Sequence, residues 1–138
     1  MGKSESRGKP AGITCHRAGR IAVIEVPGSF DIYVNPKIRE LAVTLQRDGA
    51  TVIVFDLAAV TAIDTTALGV IGGTHRSLVP TGGRAAVAAA SEPAARLFRA
   101  FGLDVPVFSS RQDAIRAAGQ ETGSANARRQ AEAGTRAG

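Results

Sequence analysis

The sequence predicts an α/β domain built on a mixed β-sheet of roughly four to five strands, with about four helices. Three observations carry that expectation. Two short extended runs near the start, Ile13 to His16 and Arg20 to Val26, are separated by Ala18-Gly19, which is a hairpin signal. A later run, Thr51 to Leu57, is almost wholly apolar and β-branched, as a strand buried on both faces must be. Segments with apolar residues at helical spacing lie between such runs. An opening hairpin followed by alternating helices and strands implies parallel later strands joined by helical crossovers.

Each element follows in order. Residues 1–12 are polar and contain Gly, Ser and Pro, so they read as a flexible leader. Pro27-Gly28 ends the second strand, and Ser29 to Asn35 reads as a loop. From Pro36 onward, Ile38, Leu41, Ala42 and Leu45 mark one face of an amphipathic helix. Pro36 suits its first turn, where no N–H is needed, and Gly49 marks its end. After the central strand a helix is expected from Thr66 to about Val79, ended by Pro80. Gly82-Gly83 make a turn, and Arg84 to Ala89 gives another buried strand. Ser91 caps a helix through Phe101, with Pro93 tolerated in its first turn and Gly102 as its stop. Val105 to Phe108 is a short strand, and Arg111 to Ala118 a last helix. The tail over 120–138 is rich in Gly, Ala, Arg and Ser and is expected to be disordered. The folded domain is thus placed at residues 13–119.

Composition narrows the function classes. The chain has 138 residues, 44% of them hydrophobic, enough for one domain with a real core. Aromatic residues make up only 4%, so that core is mostly Ala, Val, Leu and Ile. The net charge of +5 comes largely from the ends, where Lys3, Arg7, Lys9, Arg128, Arg129 and Arg136 lie. Residues 13–119 carry 11 basic and 9 acidic side chains, a net of +2. That near balance argues against direct DNA binding, which asks for a basic face. Cys15 is the one cysteine, so neither an internal disulfide nor a Cys-based metal site can form. This fits a reducing cytoplasm. No signal peptide and no run of about 18 apolar residues is present, so no membrane association is expected.

The most informative stretch is Ile63-Asp64-Thr65-Thr66-Ala67-Leu68-Gly69. It sets a carboxylate and two hydroxyls where a strand-like run gives way to a helix-like one. Such a junction has unpaired backbone N–H groups and a positive helix-dipole end. Capping alone accounts for Asp and Thr there. A second reading is a hydroxyl that receives a phosphate from a partner protein. Other residues offer less. His16 and His75 have no acidic or Cys companion at ligand spacing and read as surface or packing histidines. Gly82-Gly83 lacks the following Lys-Ser/Thr of a phosphate loop. Asp56 ends a strand, but the companions of a receiver-type phosphoacceptor are missing.

Taken together, these residues are similar to those of the STAS domain of bacterial anti-sigma-factor antagonists, from about Ile13 to Ala118. Gly28-Ser29-Phe30-Asp31 resembles the family's Gly-x-x-Asp. Val54 to Leu57 leading into Ile63 to Gly69 resembles its signature Asp-Ser-Ser-Gly-Leu-Gly. Ser91 to Leu103 and Phe108 to Ala118 resemble the segments that close the fold. The resemblance implies a STAS-type sheet and a partner switch without enzymatic activity, cofactor or metal. The unphosphorylated protein would bind an anti-sigma factor that is also a serine/threonine kinase, releasing a sigma factor. The kinase would phosphorylate Thr65, the first hydroxyl after the signature aspartate, and the phosphoprotein would let go. A phosphatase would reset it. Thr66 is the rival acceptor. The implied partner surface comprises Asp31, Asp64, Thr65, Thr66, Ala67 and Ser91, although Asp31 could equally serve its own loop. Thr65 and Thr66 stand where serines are commoner, and Ala67 where glycine is frequent. The alternative is a STAS scaffold or sensor module of a stressosome-like assembly, in whose scaffold proteins threonine acceptors also occur. An enzyme using Asp31 and Asp64 for nucleotide hydrolysis or phosphotransfer has no triad, metal cluster or phosphate loop behind it.

Overall fold

A left-handed glycine makes the first turn. Gly19 has φ +61°, the conformation that the first position of a two-residue hairpin loop requires. It joins β1 (Thr14–Ala18) to β2 (Ile21–Glu25) in antiparallel register, from Thr14 opposite Glu25 to Ala18 opposite Ile21. The structure, a computed structural model, describes residues 12–120. The leader expected at 1–12 and the tail expected at 120–138 therefore lie outside the described residues, apart from Gly12 and Gln120.

Next after β2 comes a short strand, β3 (Gly28–Phe30), which pairs outside the main sheet. The centre of the main sheet is β4 (Val52–Asp56), all of whose residues are buried. It pairs in parallel with β2 on one side. β5 (Val60–Ile63) follows it and pairs in parallel with β3 in a separate two-stranded sheet. On its other side β4 pairs in parallel with β6 (Arg84–Ala88). β7 is only Val107–Phe108, parallel to β6. The five-stranded order is β1-β2-β4-β6-β7. The mixed α/β sheet thus matches the expectation of a hairpin followed by parallel crossovers. Period-two alternation splits the core between its faces. Ile53, Phe55, Ala85 and Val87 turn one way, while Val52, Val54, Ala86 and Ala88 turn the other.

The first face is covered by α1 (Asn35–Arg47), α2 (Thr65–Leu78) and α3 (Glu92–Ala100). α1 buries Asn35, Ile38, Ala42 and Leu45, and Gly49 after it has φ +100°. The second face is covered by α4, helical over residues 111–120, through Ala114 and Ala118. Between α2 and β6 the backbone of Gly83 lies against Thr51, so closely that a Cβ on Gly83 would sit 1.8 Å from the Thr51 carbonyl oxygen.

Three expectations need correction. Gly28–Phe30, expected as strand end and loop, is the strand β3, and its partner β5 falls where no strand was expected. These strands form because Phe30 is fully buried, with its ring centroid 6.4 Å from that of Phe55. The helix expected from Thr66 to Val79 begins at Thr65 and ends at Leu78. Pro80 lies inside a following 3-10 turn, Val79–Thr81, at its first positions, where no N–H is needed. α1 also begins one residue earlier than expected, at Asn35.

Candidate functional site

Asp64 leaves β5 in an extended conformation and becomes the N-cap of α2. Its Oδ1 accepts from the backbone N–H of Thr66 at 3.0 Å and of Ala67 at 3.3 Å. These are two of the donors that a helix start leaves unpaired. The same oxygen accepts from the Thr66 hydroxyl at 2.5 Å. The Thr66 hydroxyl bond, opposed by partial burial and aided by the N–H groups of Ala67, Thr66 and Ile32, holds the Asp64 carboxyl below the usual carboxylate range.

The two threonines differ in what their hydroxyls do. Both residues are exposed. Thr66 Oγ1 donates to Asp64 and also accepts from Asn35 Nδ2 at 2.6 Å. Thr65, the first residue of α2, has no hydroxyl partner among the described residues. Its backbone is fixed by the helix while its oxygen stays open to solvent.

Asp31 organises the neighbouring loop. Its Oδ1 accepts from Tyr33 N at 3.0 Å, and its carbonyl accepts from the N–H groups of Val34 and Asn35 at 3.1 and 2.9 Å. The tight turn that results exposes Ile32 (59%) and Tyr33 (87%). This loop adjoins the cap directly, because Asp64 N–H donates to the Phe30 carbonyl at 3.3 Å. Asp31, Asp64, Thr65 and Thr66 are therefore brought together.

The two remaining residues of the expected partner surface differ in exposure, since Ser91 is exposed and Ala67 is not. Ala67 is fully buried, because the apolar stripe of α2 begins with it and continues through Leu68 and Ile71. Its methyl faces the core and offers a partner nothing. Ser91 caps α3, with its hydroxyl accepting from Ala94 N at 3.2 Å, and among the described residues it bonds only within that helix end. Asn35 was missed. The signal was present as a polar residue on the buried stripe that runs through Ile38, Ala42 and Leu45. Away from the site, Asp56 is tied to Arg111 at 2.9 Å, and His75 Nδ1 accepts from Ala85 N at 3.1 Å as a packing group.

The chemistry open to this arrangement is limited. A hydroxyl is presented beside an ionised carboxylate, at the end of a helix that favours anions. Among the described residues no base is bonded to Thr65, and no group of three or more His, Cys, Asp or Glu could hold a metal.

The STAS domain model matches residues 13–114. The chain belongs to the STAS domain family. An anti-sigma-B factor antagonist of Staphylococcus epidermidis is 31% identical over 80 residues, covering 58% of this chain and 74% of that protein. A solved anti-sigma factor antagonist from Mycobacterium paratuberculosis is 25% identical with TM-score 0.68, covering 79% of this STAS chain and 96% of its own. The antagonist SpoIIAA shares the fold in two solved forms. Its unphosphorylated form has TM-score 0.68 at 23% identity, over 75% of this chain and 92% of that one. The phosphorylated form from Bacillus has TM-score 0.65 at 20% identity, over 76% and 97%. No helix among the described residues is long and apolar enough to cross a membrane.

Proposed function

We propose that this STAS domain is a cytoplasmic anti-sigma factor antagonist switched by phosphorylation at Thr65. In its unmodified form it binds an anti-sigma factor that is also a serine/threonine kinase, so that a sigma factor is released. One observation carries the choice of residue. The Thr65 hydroxyl is exposed and without a partner among the described residues, whereas that of Thr66 is held from both sides.

The partner surface runs from the Asp31 turn to the start of α2. Ile32 and Tyr33 supply apolar contact, and Asp31, Asp64 and Thr65 surround them with polar groups. Such a surface, with an aromatic anchor inside a polar rim, suits a protein partner. Phosphate on Thr65 adds about −1.5 to −2 charges beside the ionised Asp64. The helix end tolerates that charge, so the domain stays folded. A docked partner must instead desolvate it. A loss of about 3 kcal/mol weakens binding roughly a hundredfold. A phosphatase returns the protein to its binding form.

The test compares Thr65→Ala and Thr65→Glu with wild type, using the purified cognate anti-sigma factor and ATP. Thr65→Ala is expected to take up no phosphate and to keep its affinity. Thr65→Glu is expected to fold normally and bind at least about tenfold more weakly, since one carboxylate imitates a phosphate only in part. Unchanged affinity after full modification of Thr65 defeats the proposal.

A further inference from the structure

We propose that Asn35 decides which of the two adjacent hydroxyls is phosphorylated, by holding Thr66 out of reach and leaving Thr65 as the acceptor. This rests on the reading of Thr65 given above and adds a residue that acts through another. Asn35 is a positioning residue, since it touches Thr66 and not the reacting atoms.

Exposure does not separate the two threonines, because both are exposed and they are adjacent. Hydrogen bonding does. In the transfer, the acceptor oxygen forms a bond to the γ-phosphorus of ATP. The bond from that phosphorus to the bridging oxygen of the departing ADP breaks, and the hydroxyl proton passes to a base of the kinase. Thr65 breaks no hydrogen bond to enter this geometry. Thr66 must first release the lone pair occupied by Asn35 Nδ2 at 2.6 Å.

Asp64 alone does not withhold Thr66. A carboxylate that accepts from a hydroxyl is the arrangement of a general base, and it would assist attack by that oxygen. The bond from Asn35 opposes this, because it engages the oxygen itself. It also fixes the Thr66 side chain to α1, an element 31 residues away in sequence.

Stability does not account for an asparagine here. Asn35 is 4% exposed and shares its stripe with Ile38, Ala42 and Leu45. Its Oδ1 is buried with no hydrogen-bond partner. A buried acceptor without a donor is a cost that an apolar side chain of similar size avoids. What the amide supplies, and leucine cannot, is the bond to Thr66.

The experiment uses Asn35→Leu and Asn35→Ala, each alone and combined with Thr65→Ala, in the full chain. The phosphoryl source is an extract of the source organism supplied with magnesium and ATP, and the phosphate is mapped by mass spectrometry. Wild type should carry phosphate on Thr65 alone, and Thr65→Ala should carry none. In either Asn35 variant the share on Thr66 should rise from below detection to a measurable fraction, since one hydrogen bond is worth a factor of about 2–12. The double variants should be modified on Thr66. Asn35→Leu should melt no lower than wild type, with Asn35→Ala covering the case that leucine overpacks. In proton NMR the Asn35 side-chain amide protons should shift when Thr66 is replaced by alanine, and their indifference to Thr66→Ala counts against the lock. Phosphate confined to Thr65 in both single variants, with none on the double variants, overturns the role of Asn35 and leaves the Thr65 reading standing. No phosphate on wild type, or phosphate on its Thr66, defeats the Thr65 reading and this inference with it.

Discussion

Asp64 serves two ends with one oxygen: it closes the start of α2 and it fixes the hydroxyl of Thr66. Removing it should expose the first of these. Asp64→Ala is expected to lower the unfolding free energy by about 0.5–2 kcal/mol at neutral pH, as for other lost N-caps. The dependence on pH has a definite sign. The folded carboxyl is held below the usual range, so its stabilisation is fully present above the unfolded value of about 3.9 and is lost as pH falls through the lowered folded value. Urea melts of both proteins should show the gap at pH ~7 shrinking below pH ~3.9. A gap of constant size would mean that the carboxylate charge contributes nothing. The cap was legible in the sequence, since Asp followed by Thr before an apolar stripe is a local signal. The Asn35–Thr66 bond was not, because it closes over 31 residues and depends on how α1 packs against α2.

At the scale of elements, two glycines make opposite demands. Gly69 lies within α2, where a Cβ would meet nothing within 4 Å, whereas a Cβ on Gly83 would run into the Thr51 backbone. Gly69→Ala should therefore stabilise by up to about 1 kcal/mol, the helix-propensity difference. Gly83→Ala should destabilise by about 1–3 kcal/mol or more, because backbone and not a flexible side chain must yield. Thermal melts of the two variants should move in opposite directions, and a neutral Gly83→Ala would show that the β4–β6 edge relaxes freely. Helix starts and stops were readable to within a residue, for the same local reason that these glycines are. Pro36, Gly49, Ser91 and Gly102 each act on the turn beside them. β3 and β5 were not readable. Gly28-Ser29-Phe30 and Val60-Thr61-Ala62-Ile63 are too short for a period to emerge, and they become strands only by pairing with each other across the chain.

The whole molecule is asymmetric in how its sheet is covered. Three helices pack on one face with large buried side chains such as Ile38, Ile71 and Phe98, while α4 covers the other with buried Ala114 and Ala118 and partly buried Ile115. Small residues bury little area, so polar contacts matter more to α4. Arg111, at its start, bonds to Asp56 at 2.9 Å and to Glu25, linking α4 to the ends of β4 and β2. The Asp56 side chain is 6% exposed and that of Arg111 27%. Removing the arginine leaves a buried carboxylate with only the Ala58 N–H as partner among the described residues. Breaking a fully buried pair costs about 3–5 kcal/mol; the partial exposure of Arg111 reduces the expectation for Arg111→Ala to about 2–3 kcal/mol. Asp56→Asn in that background should recover about 1 kcal/mol or more, because it removes the stranded charge. A double-mutant cycle by urea denaturation measures the coupling. Additive effects of the two substitutions would show that the Arg111–Asp56 pair does not help to hold α4. Phosphorylation at Thr65 should be unaltered in both variants at temperatures where they are folded, since the cap of α2 shares no hydrogen bond with this cluster among the described residues.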